Sequence, residues 1–236
     1  MTIAENVALV RENMTRAALA AGRDPGEILL LAATKMNDAD RVRQAIRAGV
    51  DCCGENRVQE MLEKQAQGAY EGVPLHFIGH LQKNKVKQVL GLVSLIHGVD
   101  SRELLETISR LAAARGLTQD LLLEVNVAGE ASKSGFSPEE IPRALAFAAE
   151  LPALRVRGLM AIPPICSSPD ENRPFFLRMQ KLFIDNSEKK YDNIRMDFLS
   201  MGMSGDYTEA IACGANLIRV GSGIFGPRHY DTKPLP

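Results

Sequence analysis

The stretch ILLLAATKMNDADRVRQAIRAGVDCCG, residues 28–54, decides the fold class. It begins with an apolar run of strand length at 28–34, continues with a charged segment of helix length, and ends in a second apolar run at 50–54. Strands that alternate with helices in this way are typical of βαβ units, whose strands pair in parallel. The stretch therefore predicts an α/β protein with a parallel sheet.

The same alternation continues along the whole chain. Before the first strand, Ile3, Val7, Val10 and Met14 recur at three and four residues, which predicts an additional amphipathic helix at the N-terminus. We expect one domain, residues 1–236, folded as a TIM (β/α)₈ barrel with this extra helix, and periodicity leaves an open doubly wound sheet as the alternative. The six further apolar runs are 75–79, 94–99, 121–127, 154–162, 196–201 and 216–220.

Composition excludes several classes of protein. The chain has 236 residues, 45% hydrophobic and 24% charged, as ordinary globular proteins have. With 28 basic and 29 acidic residues, no net field attracts nucleic acid or a membrane. Its 4 cysteines form no C-x-x-C pair, and neither a leader nor an apolar span is evident, so we expect reduced thiols in the cytoplasm.

Lys35 is the first candidate functional residue. TIM barrels carry their chemistry where strands end, and Lys35 ends the first run. Side-chain alternation places it on the same face as Leu31 and Ala33, which in a barrel is the interior. A desolvated lysine there has a lowered pKa and can form a Schiff base with a carbonyl compound or with pyridoxal phosphate. The alternative is a structural lysine that extends to solvent.

Two turns rich in small residues indicate a phosphate site. SMGMSGD at 200–206 follows the seventh run and RVGSGIFG at 219–226 follows the eighth, and loops seven and eight commonly bind phosphate in this fold. The alternative is a pair of tight turns that need glycine. The G-x-G-x-x-G within the second turn is no dinucleotide fingerprint, because neither a long helix and strand nor an acidic residue about 20 positions later follows it.

Other patterns carry weaker predictions. His76 and His80 lie on an apparent strand, too far apart to share one metal ion, so we expect no metal site. The run containing Lys83 predicts a solvated helix face. Prolines and polar residues at 163–174 predict a long loop after the sixth strand, which could act as a lid.

Several motifs together resemble a known family, the pyridoxal phosphate homeostasis proteins, which are related to the N-terminal barrel domain of alanine racemase. Their order along nearly the whole chain makes the resemblance specific. It implies a TIM-type barrel that holds pyridoxal 5′-phosphate. The motifs are ATK at 33–35, GENRVQE at 54–60, HFIGHLQKNK at 76–85, VNVAGEASKSGF at 125–136, GLMAIPP at 158–164, FLSMGMSGDYTEAI at 198–211 and IRVGSGIFG at 218–226.

The resemblance also assigns residues to the cofactor. Lys35 would carry it as a Schiff base, and Arg219 would face the pyridine nitrogen. Family members usually have alanine where this chain has Gly223. Phosphate would be held by Ser204, Gly221 and Ser222, while Asn56, His80, Ser200 and Met203 match positions near the cofactor.

Arg219 fits a racemase or a holder of pyridoxal phosphate and counts against a transaminase or a decarboxylase. Enzymes that use the ring as an electron sink usually pair its nitrogen with an acid, whereas arginine is always charged and can only donate. Racemases that the chain resembles also have an added domain that forms the dimer and supplies a tyrosine base, which we do not expect here. We therefore expect a monomeric, non-catalytic protein of cofactor homeostasis, with pyridoxal-phosphate-dependent client enzymes as partners. The alternatives are a weak racemase or lyase and a cofactor-free sugar phosphate isomerase with Glu55 as base.

Overall fold

Eight parallel strands close a barrel in the computed structural model, which describes residues 1–164, 168–188 and 191–227. The predicted (β/α)₈ barrel is confirmed, and the open sheet is excluded because β1 pairs with both β2 and β8. The strands are β1 (Leu29–Ala33), β2 (Cys52–Glu55), β3 (Leu75–Phe77), β4 (Leu95–Val99), β5 (Gln119–Val125), β6 (Leu154–Ala161), β7 (Ile194–Met203) and β8 (Leu217–Val220).

Helices surround this barrel on its outer side. Short 3₁₀ turns precede β1, α4 and α7, at Pro25–Glu27, Lys83–Lys85 and Pro169–Asn172. The α-helices are α1 (Ile3–Ala20), α2 (Ala39–Arg47), α3 (Val58–Gln65), α4 (Val86–Val89), α5 (Arg102–Ala113), α6 (Ile141–Ala149), α7 (Arg173–Ser187), α8 (Tyr207–Ala212) and α9 (Ser222–Phe225). Among the described residues, none of these helices combines the length and the apolar character that crossing a membrane requires.

The extra N-terminal helix is α1, as predicted. Thr2 caps it: its hydroxyl accepts from the Glu5 N–H, and the Glu5 carboxylate accepts from the Thr2 N–H. This reciprocal arrangement satisfies two N–H groups that a helix start otherwise leaves unpaired. The apolar side of α1 is buried and packs against α2, α8 and α9. The helix thus covers the outer side of the barrel where the first and last units meet.

Alternation along each strand divides the core in two. Cys52 packs inside the barrel and Cys53 packs outward against the helices, so the two neighbours point to opposite faces, as expected. The larger apolar cluster lies between strands and helices. The smaller cluster fills the barrel interior and comprises Leu31, Cys52, Ile78, Leu95, Leu122, Met160 and Leu217. Because the barrel is filled, its chemistry is confined to the mouth where the strands end.

The loop predicted at 163–174 is shorter than expected. Residues 165–167 lie outside the described residues, a 3₁₀ turn occupies Pro169–Asn172, and α7 begins at Arg173. The buried Asn172 side chain donates a 2.8 Å hydrogen bond to Asp206 at the start of α8. Asn172 therefore anchors the later half of the segment to the barrel, and the lid stays a prediction.

Candidate active site at the mouth of the barrel

Lys35 lies at the barrel mouth beside the last strand. It follows β1, and β1 pairs with β8 so that Leu31 stands opposite Arg219. Leu31 and Ala33 face the barrel interior as predicted, and the half-buried Lys35 follows at the next position of the same alternation. Lys35, Gly221 and Ser222 together line a cavity of about 290 Å³. The first and last βα units thus bring the predicted lysine to one of the predicted small-residue turns.

Ser204 joins the two predicted phosphate turns. Its Oγ accepts hydrogen bonds from the N–H groups of Gly221 and Gly223, at 3.1 and 3.2 Å. A hydroxyl that accepts in this way keeps its own hydrogen, which can still be donated to an anion. A Cβ on Gly223 would come within 2.8 Å of the Val220 side chain, so glycine lets this turn pack tightly on β8. The turns after β7 and β8 therefore form one unit rich in hydrogen-bond donors.

Arg219 is a buried cation in β8, two residues before Gly221. It is only 4% exposed, and its guanidinium donates to Ser200 Oγ and, at 2.9 Å, to the Ala161 carbonyl. Burial lowers the pKa of Arg219 to about 10, while Glu124 and Asp206 oppose that shift. The guanidinium therefore stays charged at neutral pH and presents only donors to the mouth.

Two buried histidines continue the hydrogen-bonded chain behind Arg219. His97 Nδ1 lies 3.1 Å from Ser200 Oγ, and His97 Nε2 lies 3.0 Å from His76 Nδ1. Because arginine only donates, the arrangement that satisfies every group has Ser200 donating to His97 and His97 donating to His76. Burial lowers the pKa of His76 to about 4 and that of His97 well below its usual value, so both rings are neutral. These hydrogen bonds orient the Ser200 hydroxyl so that its lone pairs point toward Arg219.

A second cavity, of about 230 Å³, lies at the mouth beside β3 and β5. It is lined by Asn56, His80 and Glu124, among others. The exposed His80 pairs with Asp100 at 3.0 Å, and Asn56 Oδ1 is buried without a hydrogen-bond partner. Burial first, and the negative Asp100 second, raise the pKa of Glu124. Of the predicted site residues, Lys35, Gly221 and Ser222 thus line the first cavity, and Asn56 and His80 line the second.

The remaining predicted residue, Met203, ends β7 opposite Arg219 and is 36% exposed. His80 lies beyond the end of β3, so only His76 belongs to that strand. Across the described ranges, no group of three or more His, Cys, Asp or Glu side chains is placed to hold a metal ion. The mouth instead offers an amine, a guanidinium and hydroxyl and amide donors, a set that suits an anionic ligand with a carbonyl group.

Glu55 does not reach the mouth. Its side chain is fully buried and bonds to Lys64 and Tyr70 on the helix side of β2. The reason is alternation: Cys52 faces the interior, so Glu55, three residues later, faces outward. The sugar phosphate isomerase hypothesis loses its base, and the proposal of Glu55 in that role was wrong.

Sequence reasoning missed the partners of Arg219. In the sequence His76 stands out only as a candidate metal ligand, and His97 and Glu124 do not stand out. The same alternation that placed Lys35 would have found both histidines: His76 shares a face with Ile78, and His97 shares one with Leu95. Polar residues on the interior face of a filled barrel are candidates for the layer just below the site.

Comparison with known proteins identifies the family. The family described as alanine racemase, N-terminal domain, matches residues 3–229. A protein of Aquifex aeolicus named pyridoxal phosphate homeostasis protein is 39% identical over 98% of this chain and 100% of its own length. A protein of the same name in Pseudomonas aeruginosa is 42% identical over 97% of each. The chain belongs to the pyridoxal phosphate homeostasis protein family.

A solved structure of a protein with bound pyridoxal phosphate also matches this chain. PipY of Synechococcus elongatus, determined with pyridoxal phosphate bound, is 32% identical and superposes with a TM-score of 0.81 over 95% of this chain and all of that one. The family resemblance read from the motifs is thereby confirmed. The match covers 95% of this chain, so the family assignment and the barrel fold support one another.

Proposed function

We propose that this chain binds pyridoxal 5′-phosphate at the barrel mouth and serves its homeostasis by holding the cofactor on Lys35 without turning over amino acids. The observation that carries the proposal is the shared cavity: Lys35 and the turn from Gly221 line the same 290 Å³ space. The ligand recorded for PipY and the name of the Aquifex relative favour the same cofactor.

The residues present suit each group of this cofactor. The Lys35 amine can condense with the aldehyde, losing water and leaving a Schiff base linkage. Ser204, Gly221 and Ser222 offer hydroxyl and N–H donors for the phosphate, and Gly221 leaves room for a close approach of the main chain. Arg219 presents its donors to the pyridine nitrogen. We propose that Asn56, His80, Ser200 and Met203 surround the pyridine ring.

Arg219 favours a holder or a racemase over enzymes that use the cofactor as an electron sink. When bound, the cofactor can stabilise a carbanion, and it does so best when an acid protonates its ring nitrogen. A charged guanidinium that cannot give up its proton leaves that nitrogen unprotonated. The buried Tyr70 is unsuited to act as a base here, because it bonds to Glu55 on the helix side and its pKa is raised by burial. These features favour storage over catalysis.

The first experiment locates the cofactor. Purified protein mixed with pyridoxal phosphate should show a visible absorbance band, and borohydride reduction followed by peptide mapping should find the pyridoxyl group on Lys35. Lys35→Ala should fold and lose the band, because residues at this end of a barrel serve function more than stability. Labelling of Lys133, which lines the second cavity, would contradict the assignment. An unaltered spectrum in the wild-type protein would contradict the function itself.

The second experiment tests the phosphate turns. Ser204→Leu removes the acceptor that the Gly221 and Gly223 N–H groups share and replaces a hydroxyl at the two turns with a bulky apolar side chain. Binding of pyridoxal phosphate should weaken at least tenfold, whereas binding of pyridoxal, which has no phosphate, should change little. Equal weakening of both ligands would place the phosphate elsewhere.

The third experiment addresses the catalytic alternative, a weak racemase or lyase. The loaded protein is incubated with several amino acids in deuterated water, and α-proton exchange is followed by NMR. A holder should exchange no faster than free cofactor does, because general acid–base assistance worth roughly 10²–10⁴-fold is missing. Exchange thousands of times faster, abolished by Lys35→Ala, would establish the enzyme instead.

We also propose that the protein is a cytoplasmic monomer that delivers the cofactor to client enzymes that depend on it. The free, buried Cys52, Cys53 and Cys213 suit a reducing compartment. Sedimentation should give the mass of one 25.8 kDa chain. Loaded protein should activate an apoenzyme in the presence of a scavenger that consumes free cofactor, and loss of activation under the scavenger would exclude direct delivery.

A further inference from the structure

We propose that three charged residues on the helix side of the barrel, Glu55, Glu60 and Lys64, position Lys35 by fixing the main-chain turn in which it lies. We call them the turn clamp. The inference rests on the proposed function, because it assumes that Lys35 bears the cofactor. Nothing in the binding reaction itself requires these residues, since Glu55 and Lys64 face away from the mouth.

Lys35 occupies the second position of a strained turn. The Asn37 N–H donates to the Thr34 carbonyl at 3.2 Å, which closes a four-residue β-turn directly after β1. Met36, at the third position, has a φ of 62°, a left-handed conformation that glycine normally provides. A side chain persists in that conformation only when its surroundings hold it there. The lysine that must meet the cofactor therefore lies in a turn that local sequence does not favour.

The turn clamp supplies those surroundings on both sides of Lys35. Before the lysine, Lys64 Nζ donates to the Thr34 carbonyl at 2.7 Å, and the Thr34 hydroxyl donates to Glu55 at 2.6 Å. After it, the Met36 N–H donates to Glu60 Oε1. The strained residue is thus held by a charge-assisted hydrogen bond, which is stronger than one between neutral groups.

The clamp is itself rigid. Lys64 Nζ lies 2.7 Å from a carboxylate oxygen of Glu55 and 2.7 Å from one of Glu60, and the side chains of Lys64 and Glu55 are 6% and 0% exposed. Tyr70 donates to the same Glu55 oxygen at 2.9 Å. Buried charges are expensive to desolvate, so an arrangement of this kind is poor at adding stability but well suited to fixing one geometry. What it fixes here is the path of the chain through Lys35.

Glu60 is the residue to change, because its side chain is 20% exposed and the buried pair beneath it stays intact. The variants are Glu60→Ala, Glu60→Gln, which keeps an acceptor for the Met36 N–H, and each of these combined with Met36→Gly. Glu63→Ala is the matched control, since Glu63 is an exposed carboxylate of α3 that bonds to Gln59. Two ligands are titrated: pyridoxal phosphate, and an analogue that lacks the aldehyde and so cannot bond to Lys35.

Glu60→Ala should weaken pyridoxal phosphate about tenfold, as expected for losing one charged hydrogen bond, and should leave the analogue within about twofold. Glu63→Ala should bind both ligands nearly as the wild type does, and Glu60→Gln, which keeps an acceptor but not its charge, should lie between the wild type and Glu60→Ala. Met36→Gly should restore most of the affinity lost in Glu60→Ala, because glycine adopts the left-handed turn unaided. Equal weakening of both ligands, or no rescue by Met36→Gly, would overturn the clamp. If wild-type protein shows no Lys35-dependent absorbance, the proposed function has failed, and the clamp falls with it.

Discussion

The buried histidine pair makes stability depend on mild acid. His76 is 6% exposed, and burial lowers its pKa to about 4. In the unfolded chain the same ring has a pKa of about 6.5. At a pH between these two pKa values, His76 is protonated in the unfolded chain and neutral in the folded chain. The stability from the neutral ring is therefore present above pH 6.5 and is lost as the pH falls toward 4.

The size of the effect follows from the two pKa values. From pH 7 to pH 5, a shift from about 6.5 to about 4 lowers the free energy of unfolding by about 2 kcal/mol for His76 alone. His97 acts in the same direction, because its pKa is also lowered by burial. Glu124 acts in the opposite direction, since its raised pKa favours the folded state as the pH falls. The contributions of His97 and Glu124 cancel when the change in the free energy of unfolding is compared between wild type and a His76 variant.

The assay is urea unfolding followed by circular dichroism at pH 7, 6 and 5. His76→Asn keeps a side-chain acceptor close to His97 but cannot take up a proton, so it should lose about 2 kcal/mol less than wild type over that range. Parallel curves for wild type and His76→Asn would refute the reasoning, because they would mean that the ring protonates without unfolding.

Two further predictions concern packing and charge in the fold. Gly79→Ala should lower stability by about 2–3 kcal/mol, because its Cβ would come within 2.2 Å of the Asn56 carbonyl oxygen, whereas Gly205→Ala, with nothing within 4 Å, should melt as wild type does. Lys64→Met should cost about 3–5 kcal/mol in urea unfolding, because it leaves the buried Glu55 charge unpaired. Lys181→Met, which breaks an exposed ion pair with Asp185, should lower the free energy of unfolding by less than about 1 kcal/mol. Similar losses of stability for both lysine variants would contradict the role of burial.

Much of the site could be read from the sequence because it follows the ends of strands. Apolar runs place Lys35 at the end of β1 and the two small-residue turns after β7 and β8, and closure of the barrel makes β1 and β8 neighbours. Met36 shows what such reasoning misses. Nothing in its residue type predicts a left-handed φ, since the hydrogen bonds that hold it come from a helix more than twenty residues later.

The sequence by itself determined the fold class, the number and order of the strands, the N-terminal helix and the positions that end at the mouth. Those properties follow from local periodicity and from the rule that parallel strands need crossover helices. Only the tertiary structure decided what each polar side chain meets. Glu55 is a candidate base in the sequence, and in the structure it belongs to the turn clamp. His76 is a rejected metal ligand in the sequence, and in the structure it supports Arg219 through His97. Both roles depend on which face of a strand is buried and on partners that are distant in the chain. Such partners are set by packing, which no local pattern contains.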